Sequence, residues 1–166
     1  MPKPSKSKAS QSNPNSFSDV QVKIESWCAY QERCSKDVLD KLSSWGIDRV
    51  TTAKLLEHLK TQRFVDDRRF AEAFVSGKTR IKKWGLRKTQ LKLKSKKISE
   101  SLIASALESI DQDDYLRTLK ELAEKKWKMI KDSNIAKRKV RLQRFLFSKG
   151  YEVDLVLAVV RGLEKK

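Results

Sequence analysis

Few residues in this chain have the types and spacing that chemistry requires. Asp66-Asp67 and Asp113-Asp114 are adjacent carboxylates, the kind of pair that holds Mg²⁺ in a nuclease. Each pair also stands where a helical pattern begins, and adjacent helical side chains point about 100° apart. That suits an N-terminal cap better than a shared ion. The chain holds one His and two Cys, so acid–base or thiol catalysis would rest on His58, Cys28 and Cys34. His58 lies in the polar stretch EHLKTQRF near a helix end, where a surface role is expected. Cys28 falls on an apolar stripe and reads as core, and neither Cys has a zinc-ligand partner at the usual spacing. With five Gly and no GxxxxGK[ST], no phosphate-cradling loop is expected. These residues call for no cofactor and no metal.

The chemistry that does stand out is charge. Lys and Arg number 38 against 21 Asp and Glu, a formal net charge of +17 in 166 residues. A chain this basic is relieved by a polyanion or an acidic protein surface. Residues 78–97 read KTRIKKWGLRKTQLKLKSKK, with ten cations and no acid. A solvated face tolerates mixed charge, whereas one sign over so long a run points to a contact surface. On a helix over 86–97, Leu86, Thr89 and Leu93 share one stripe about 60° wide and face inward. Arg87, Leu91 and Lys94 then point outward, flanked by Lys88 and Lys92, with Lys82, Lys83 and Lys96 at the two ends. The i, i+4, i+7 spacing of Arg87, Leu91 and Lys94 suits a helix laid into a partner's groove. A second cluster holds Lys137, Arg138, Lys139, Arg141 and Arg144. The two clusters together predict one positive strip. Trp84, beside the first cluster, reads as a packing anchor, with stacking on a base as the alternative.

Helices must position these residues. All three prolines lie in the first 14 residues, among Ser, Lys, Asn and Gln, and none follows. Residues 1–18 therefore read as a flexible basic tail, and the rest as all-α. Three-and-four spacing runs through Val20, Ile24, Trp27, Cys28 and Gln31, through Phe70, Phe74, Ile81 and Trp84, and through Leu116, Leu119, Ala123, Trp127 and Ile130.

A repeat organises the pattern. Ile47, Ile98 and Tyr151 are equivalent, spaced by 51 and 53 residues, each ahead of a polar cap candidate: Asp48, Ser99 or Glu152. Leu42, Leu93 and Leu146 stand five positions earlier. Longer helices over 19–32, 66–84 and 112–131 precede each pair of short ones, with Gly85 ending the second. The chain thus divides into repeats 19–65, 66–111 and 112–166, three tandem three-helix units in an elongated, curved array. No run is long and apolar enough for a membrane span, and the N-terminus has no signal-peptide core. A cytoplasmic monomer is expected.

The block RFVDDRRFAEAFV followed by KKWG resembles the RecX family of recombination regulators. Its elements are Phe64-Val65-Asp66-Asp67, Arg69-Phe70-Ala71, Phe74-Val75 and Trp84-Gly85. Leu93 with Lys97-Ile98, Lys126-Trp127, Arg144-Phe145-Leu146 and Lys149-Gly150-Tyr151 extend the likeness over about residues 20–163. The resemblance implies a non-enzymatic regulator that binds the RecA recombinase and its filament on single-stranded DNA. It implies inhibition of RecA recombinase, ATPase and co-protease activities, and so a role in recombination, DNA repair and the SOS response. Direct DNA binding is a further implication. Two positions depart from the family pattern: Leu86 stands where Pro is usual after the aromatic-Gly pair, and Lys96-Lys97 where Lys-Gly is usual.

Overall fold

Six helices of this chain begin where a side chain takes up a free N–H group of the first turn. Ser16, Asp48, Asp66, Ser99, Asp111 and Asn134 each accept such a hydrogen bond. The computed structural model describes residues 16–163, and these form α1 (Phe17–Tyr30), α2 (Ser35–Ser44), α3 (Arg49–Thr61), α4 (Asp67–Arg80), α5 (Leu86–Ser95), α6 (Glu100–Glu108), α7 (Gln112–Met129), α8 (Ile135–Lys149) and α9 (Val153–Leu163). Most of the expected tail lies outside the described residues. Its last three, Ser16 to Ser18, instead cap and open α1. Both carboxylate pairs lie at helix starts: Asp66 caps α4 and Asp67 accepts from Ser35, while Asp113 and Asp114 stand in the first turn of α7, whose cap is Asp111, and Asp114 pairs with Arg117.

Three buried clusters divide the fold into three tandem units. Val20, Ile24, Val38, Leu42, Leu55 and Leu59 centre the first, Phe70, Ala71, Val75, Leu93 and Ile103 the second, and Tyr115, Leu119, Leu142, Leu146 and Val156 the third. Phe70 is buried, and Phe74 is half-buried against it with ring centroids 5.6 Å apart.

The repeat has a backbone cause. Gly46, Lys97 and Gly150 adopt left-handed φ values of 73°, 60° and 90° directly after the middle helix of each unit. The next residue then donates back to the buried leucine: Ile47 N to Leu42 O, Ile98 N to Leu93 O and Tyr151 N to Leu146 O. This closure needs a residue that tolerates the left-handed region, and glycine is the usual one. Lys97 adopts it against a steric cost of about 1–2 kcal/mol. Lys97→Gly is therefore expected to stabilise the fold by about 1 kcal/mol, less its own entropic penalty. The thermal midpoint should rise by about 2–4 °C.

Several expectations are corrected. The second long helix ends at Arg80, because Lys83 turns left-handed (φ 53°) and Trp84 N closes on Lys78 O at 3.0 Å. The buried row of α4 is Phe70, Ala71, Val75 and Thr79. Ile81 lies about 200° round from Thr79 and is 76% exposed. Gly85 opens α5 as its N-cap. Gln31 caps α1 and is exposed. The middle helix of the third unit is not short: α8 has 15 residues, against 10 in α2 and in α5.

The middle helices meet end to end. Cys34, the N-cap of α2, is buried in the second unit's core, with its Sγ 4.0 Å from Lys96 O after α5. Burial pushes the Cys34 thiol up to about 11. Gly85 stands one repeat later and donates to Lys149 O at the end of α8, at 2.8 Å. Ion pairs Arg69–Glu32 and Lys96–Asp37, both at 2.7 Å, also tie the first unit to the second.

His58 has a partner inside the first unit. Its Nε2–H donates to Glu25 Oε1 at 2.6 Å across α1 and α3. Hydrogen bonds from Gln21 and from His58 hold the Glu25 carboxyl below its ordinary 4.5. A carboxyl lowered on folding adds stability above its unfolded pKa, and this is lost as pH falls through the folded value. Acidification below pH 4.5 is thus expected to weaken the first unit. A pH series of thermal midpoints should show a shallower acid limb for Glu25→Gln.

Candidate partner-binding face

Helix α5 turns its apolar row inward and its charge outward. Thr89 and Leu93 are buried and Leu86 is half-buried. Thr89 Oγ1 donates to Gly85 O at 3.0 Å, which satisfies the hydroxyl inside the core. Arg87, Leu91, Lys92 and Lys94 are exposed, Leu91 by 68%. The first turns of α5 and α8 contain cations and no acid. Cations at a helix N-terminus oppose the macrodipole, so helix stability did not select them.

The joint with α8 fixes the N-terminus of α5. Three of its N–H groups are used there: Gly85 to Lys149 O, Arg87 to Gly150 O at 3.1 Å and Leu86 to the Tyr115 hydroxyl at 2.9 Å. The Tyr115 hydroxyl in turn donates to Glu152 at 2.7 Å, and the Tyr151 hydroxyl donates to Lys83 O at 3.2 Å. Burial, then the Glu152 hydrogen bond, raises the Tyr115 phenol well above its ordinary value. Burial and the Glu152 charge push Tyr151 up to about 12. A Pro at position 86 would have no N–H to offer Tyr115.

The sequence-assigned cations differ in what they touch. Lys88 Nζ donates to Ser148 O at 3.1 Å, where a cation suits the carbonyl end of α8. Lys78 and Lys88 lie 5.1 and 4.7 Å from the Trp84 ring centroid, so ammonium groups already occupy this half-buried indole. Lys96 is bound to Asp37 and lies over Phe70, which makes it a strut between units. Lys94 pairs with Glu100 at 2.8 Å on the surface. Arg138 covers the Trp127 ring at 3.9 Å and donates to Trp127 O. Arg141 reaches Asp132 at 3.4 Å. Lys82, Lys137 and Arg144 are exposed, and Lys83 is half-buried.

A groove opens where α5 meets the end of α8 and the start of α9. It holds about 490 Å³ and is lined by Arg87, Lys88 and Leu91 on one side and by Phe147, Ser148 and Val153 on the other, over Gly150 and Tyr151. Sequence reading brought Arg87, Lys88 and Leu91 to this place but missed Phe147 and Val153. Both were visible as apolar residues off the buried rows of α8 and α9: they flank the closure at Gly150-Tyr151 and are exposed. Among the described residues no helix is long and apolar enough to cross a membrane.

Known proteins share this fold. The family description "RecX, second three-helix domain" matches residues 66–107, and "RecX, third three-helix domain" matches residues 113–160. A relative from Clostridium tetani, named "Regulatory protein RecX", is 37% identical over 133 residues, 79% of this chain and 61% of its own length. Another of that name from Oceanobacillus iheyensis is 27% identical over 136 residues, 82% of this chain and 50% of the relative. The chain thus spans about half to three fifths of the length of these relatives. The crystal structure of RecX from Lactobacillus salivarius superposes with a TM-score of 0.78 at 21% identity, covering 90% of this chain and 97% of that one. A second crystal structure, of regulatory protein RecX, gives 0.79 at 22% identity, over 86% and 72% of the two chains.

Proposed function

This chain belongs to the RecX family of regulatory proteins, and on that premise we propose that it binds RecA and the RecA filament on single-stranded DNA. In this reading it inhibits the recombinase, ATPase and co-protease activities of RecA, and so modulates homologous recombination, DNA repair and the SOS response. It acts as a cytoplasmic monomer, by occupying a surface and without catalysis. The observation that carries the reading is the family match over 66–107 and 113–160, the two units that hold the basic clusters of 78–97 and 137–144. Arg87, Leu91, Lys92 and Lys94, with Lys82, Lys137 and Arg144, are its contact residues. Lys83, Lys88, Lys96, Arg138 and Arg141 shape the same face through contacts within the chain, and Lys88 is also a contact residue, lining the groove beside Arg87.

The net charge of +17 favours a second reading, direct binding to naked DNA. The two share electrostatics and differ in what they need. A protein neutralising about five phosphates loses affinity with a log–log salt slope near −4.5. Pull-down on naked and on RecA-coated single strands at moderate salt separates them. Retention mainly on coated strands supports the RecA reading. Equal retention on both, with that salt slope, supports plain DNA binding.

A further inference from the structure

The groove between α5 and the α8–α9 turn joins apolar walls from two units of the array. Leu91 comes from the second unit, Phe147 and Val153 from the third, and all three are exposed. Single exposed apolar residues are ordinary, but three lining one concavity form a patch. The walls are held apart by rigid contacts. A Cβ on Gly85 would lie 2.1 Å from the Gly150 carbonyl carbon, so the two backbones already touch beneath the groove. Lys88 is fastened to Ser148 on its rim. The shape is therefore preformed.

Its charge has one sign. Arg87 and Lys88 stand on the α5 wall, and no carboxylate lines the groove. Phosphate has little to bind here beyond those side chains, because the N–H groups of Gly85, Leu86 and Arg87 are already donated to Lys149, Tyr115 and Gly150. An apolar floor beside cations complements a polypeptide that carries an apolar side chain among carboxylates.

We propose that this groove receives an apolar side chain of a protein partner, flanked by Asp or Glu that face Arg87 and Lys88. Leu91 is then a wall of a receiving slot on this chain, and not a knob that enters a groove of the partner. The proposal deepens the RecA reading and rests on it for the partner's identity, while the slot's chemistry is separately testable.

The test uses the full chain and three fluorescent probes: a short oligoglutamate with one central leucine, its twin with central serine, and oligo-dT. Anisotropy titrations at fixed moderate salt are expected to show the leucine peptide bound about tenfold more tightly than the serine peptide. Leu91→Ser and Phe147→Ser should each erase that difference while the helical signal and thermal midpoint persist, since both side chains are exposed. Equal binding of the two peptides overturns the proposal. So does tight oligo-dT binding that Leu91→Ser abolishes, which assigns the groove to a nucleobase. The same variants are then tested on RecA-coated single strands. Unchanged retention of the variants overturns the slot and leaves the RecA reading intact. A peptide preference that holds while RecA-coated strands retain no protein supports the slot and overturns the RecA reading.

Discussion

Gly150→Ala is expected to weaken the joint between the second and third units by about 2–5 kcal/mol. Two costs add. Gly150 has φ +90°, in the left-handed region where a Cβ meets the following carbonyl, at about 1–2 kcal/mol. That Cβ would also stand 2.2 Å from Lys88 Cβ and 2.6 Å from Lys88 N, and such overpacking costs about 1–3 kcal/mol. Gly85→Ala removes the strain from the comparison, because Gly85 is the extended N-cap of α5, with φ −72°. Its Cβ would press 2.1–2.2 Å against the Gly150 carbonyl, and backbone cannot rotate aside as a side-chain tip can. Gly77 and Gly162 are the controls. Both are helical, with nothing within 4 Å of an added Cβ, so alanine there should stabilise by about 0.5–1 kcal/mol. Urea midpoints of the four variants check the whole set. Gly85→Ala matching Gly77→Ala would mean that the two units do not touch as described.

The parts of the fold that were readable before the structure are those written in local geometry. Leu42, Leu93 and Leu146 recur at fixed distance from Ile47, Ile98 and Tyr151 because one backbone closure demands both residues. Asp48, Asp66 and Ser99 were readable as caps because capping is a matter of neighbours in sequence. The outward face of α5 followed from angular bookkeeping alone, and Leu91 lies where the wheel puts it.

What escaped depends on contacts distant in sequence. Ile81 continues an apolar stripe on paper, yet α4 stops first, because the turn at Lys83 answers to the packing of Trp84 and Gly85 beyond it. Cys34 carries no local sign that it belongs to the next unit's core. Gly85 was read as the end of a helix, since its real constraint is Gly150, 65 residues away. The candidate site divides in the same way. Arg87 and Leu91 are legible within one helix, whereas the groove they help to line exists only once Phe147 and Val153 are brought beside them.

On the proposed RecA reading, reversing Arg87 and Lys94 together to Glu should abolish inhibition of RecA while the protein stays folded. Neither residue holds the fold. Arg87 is exposed, and Lys94 pairs with Glu100 in a surface contact of the kind worth about 0–1 kcal/mol. Long-range attraction sets the association rate of a basic face with an acidic one, and reversal of rim charge acts there first. The expected loss is about 10–100-fold in association rate on RecA-coated strands, with a flatter salt dependence. Leu91→Ala should instead speed dissociation and leave the salt slope unchanged, since it removes apolar contact and no charge. Lys96→Ala supplies the contrast within the same basic run. It frees the half-buried Asp37 carboxylate between the first and second units, so its effect should fall on thermal stability before binding. Stopped-flow association and a thermal scan of each variant distinguish the three. If the double reversal inhibits RecA normally, the outward face of α5 is a solvated surface, and the contact must be sought along Lys137 and Arg144 on α8.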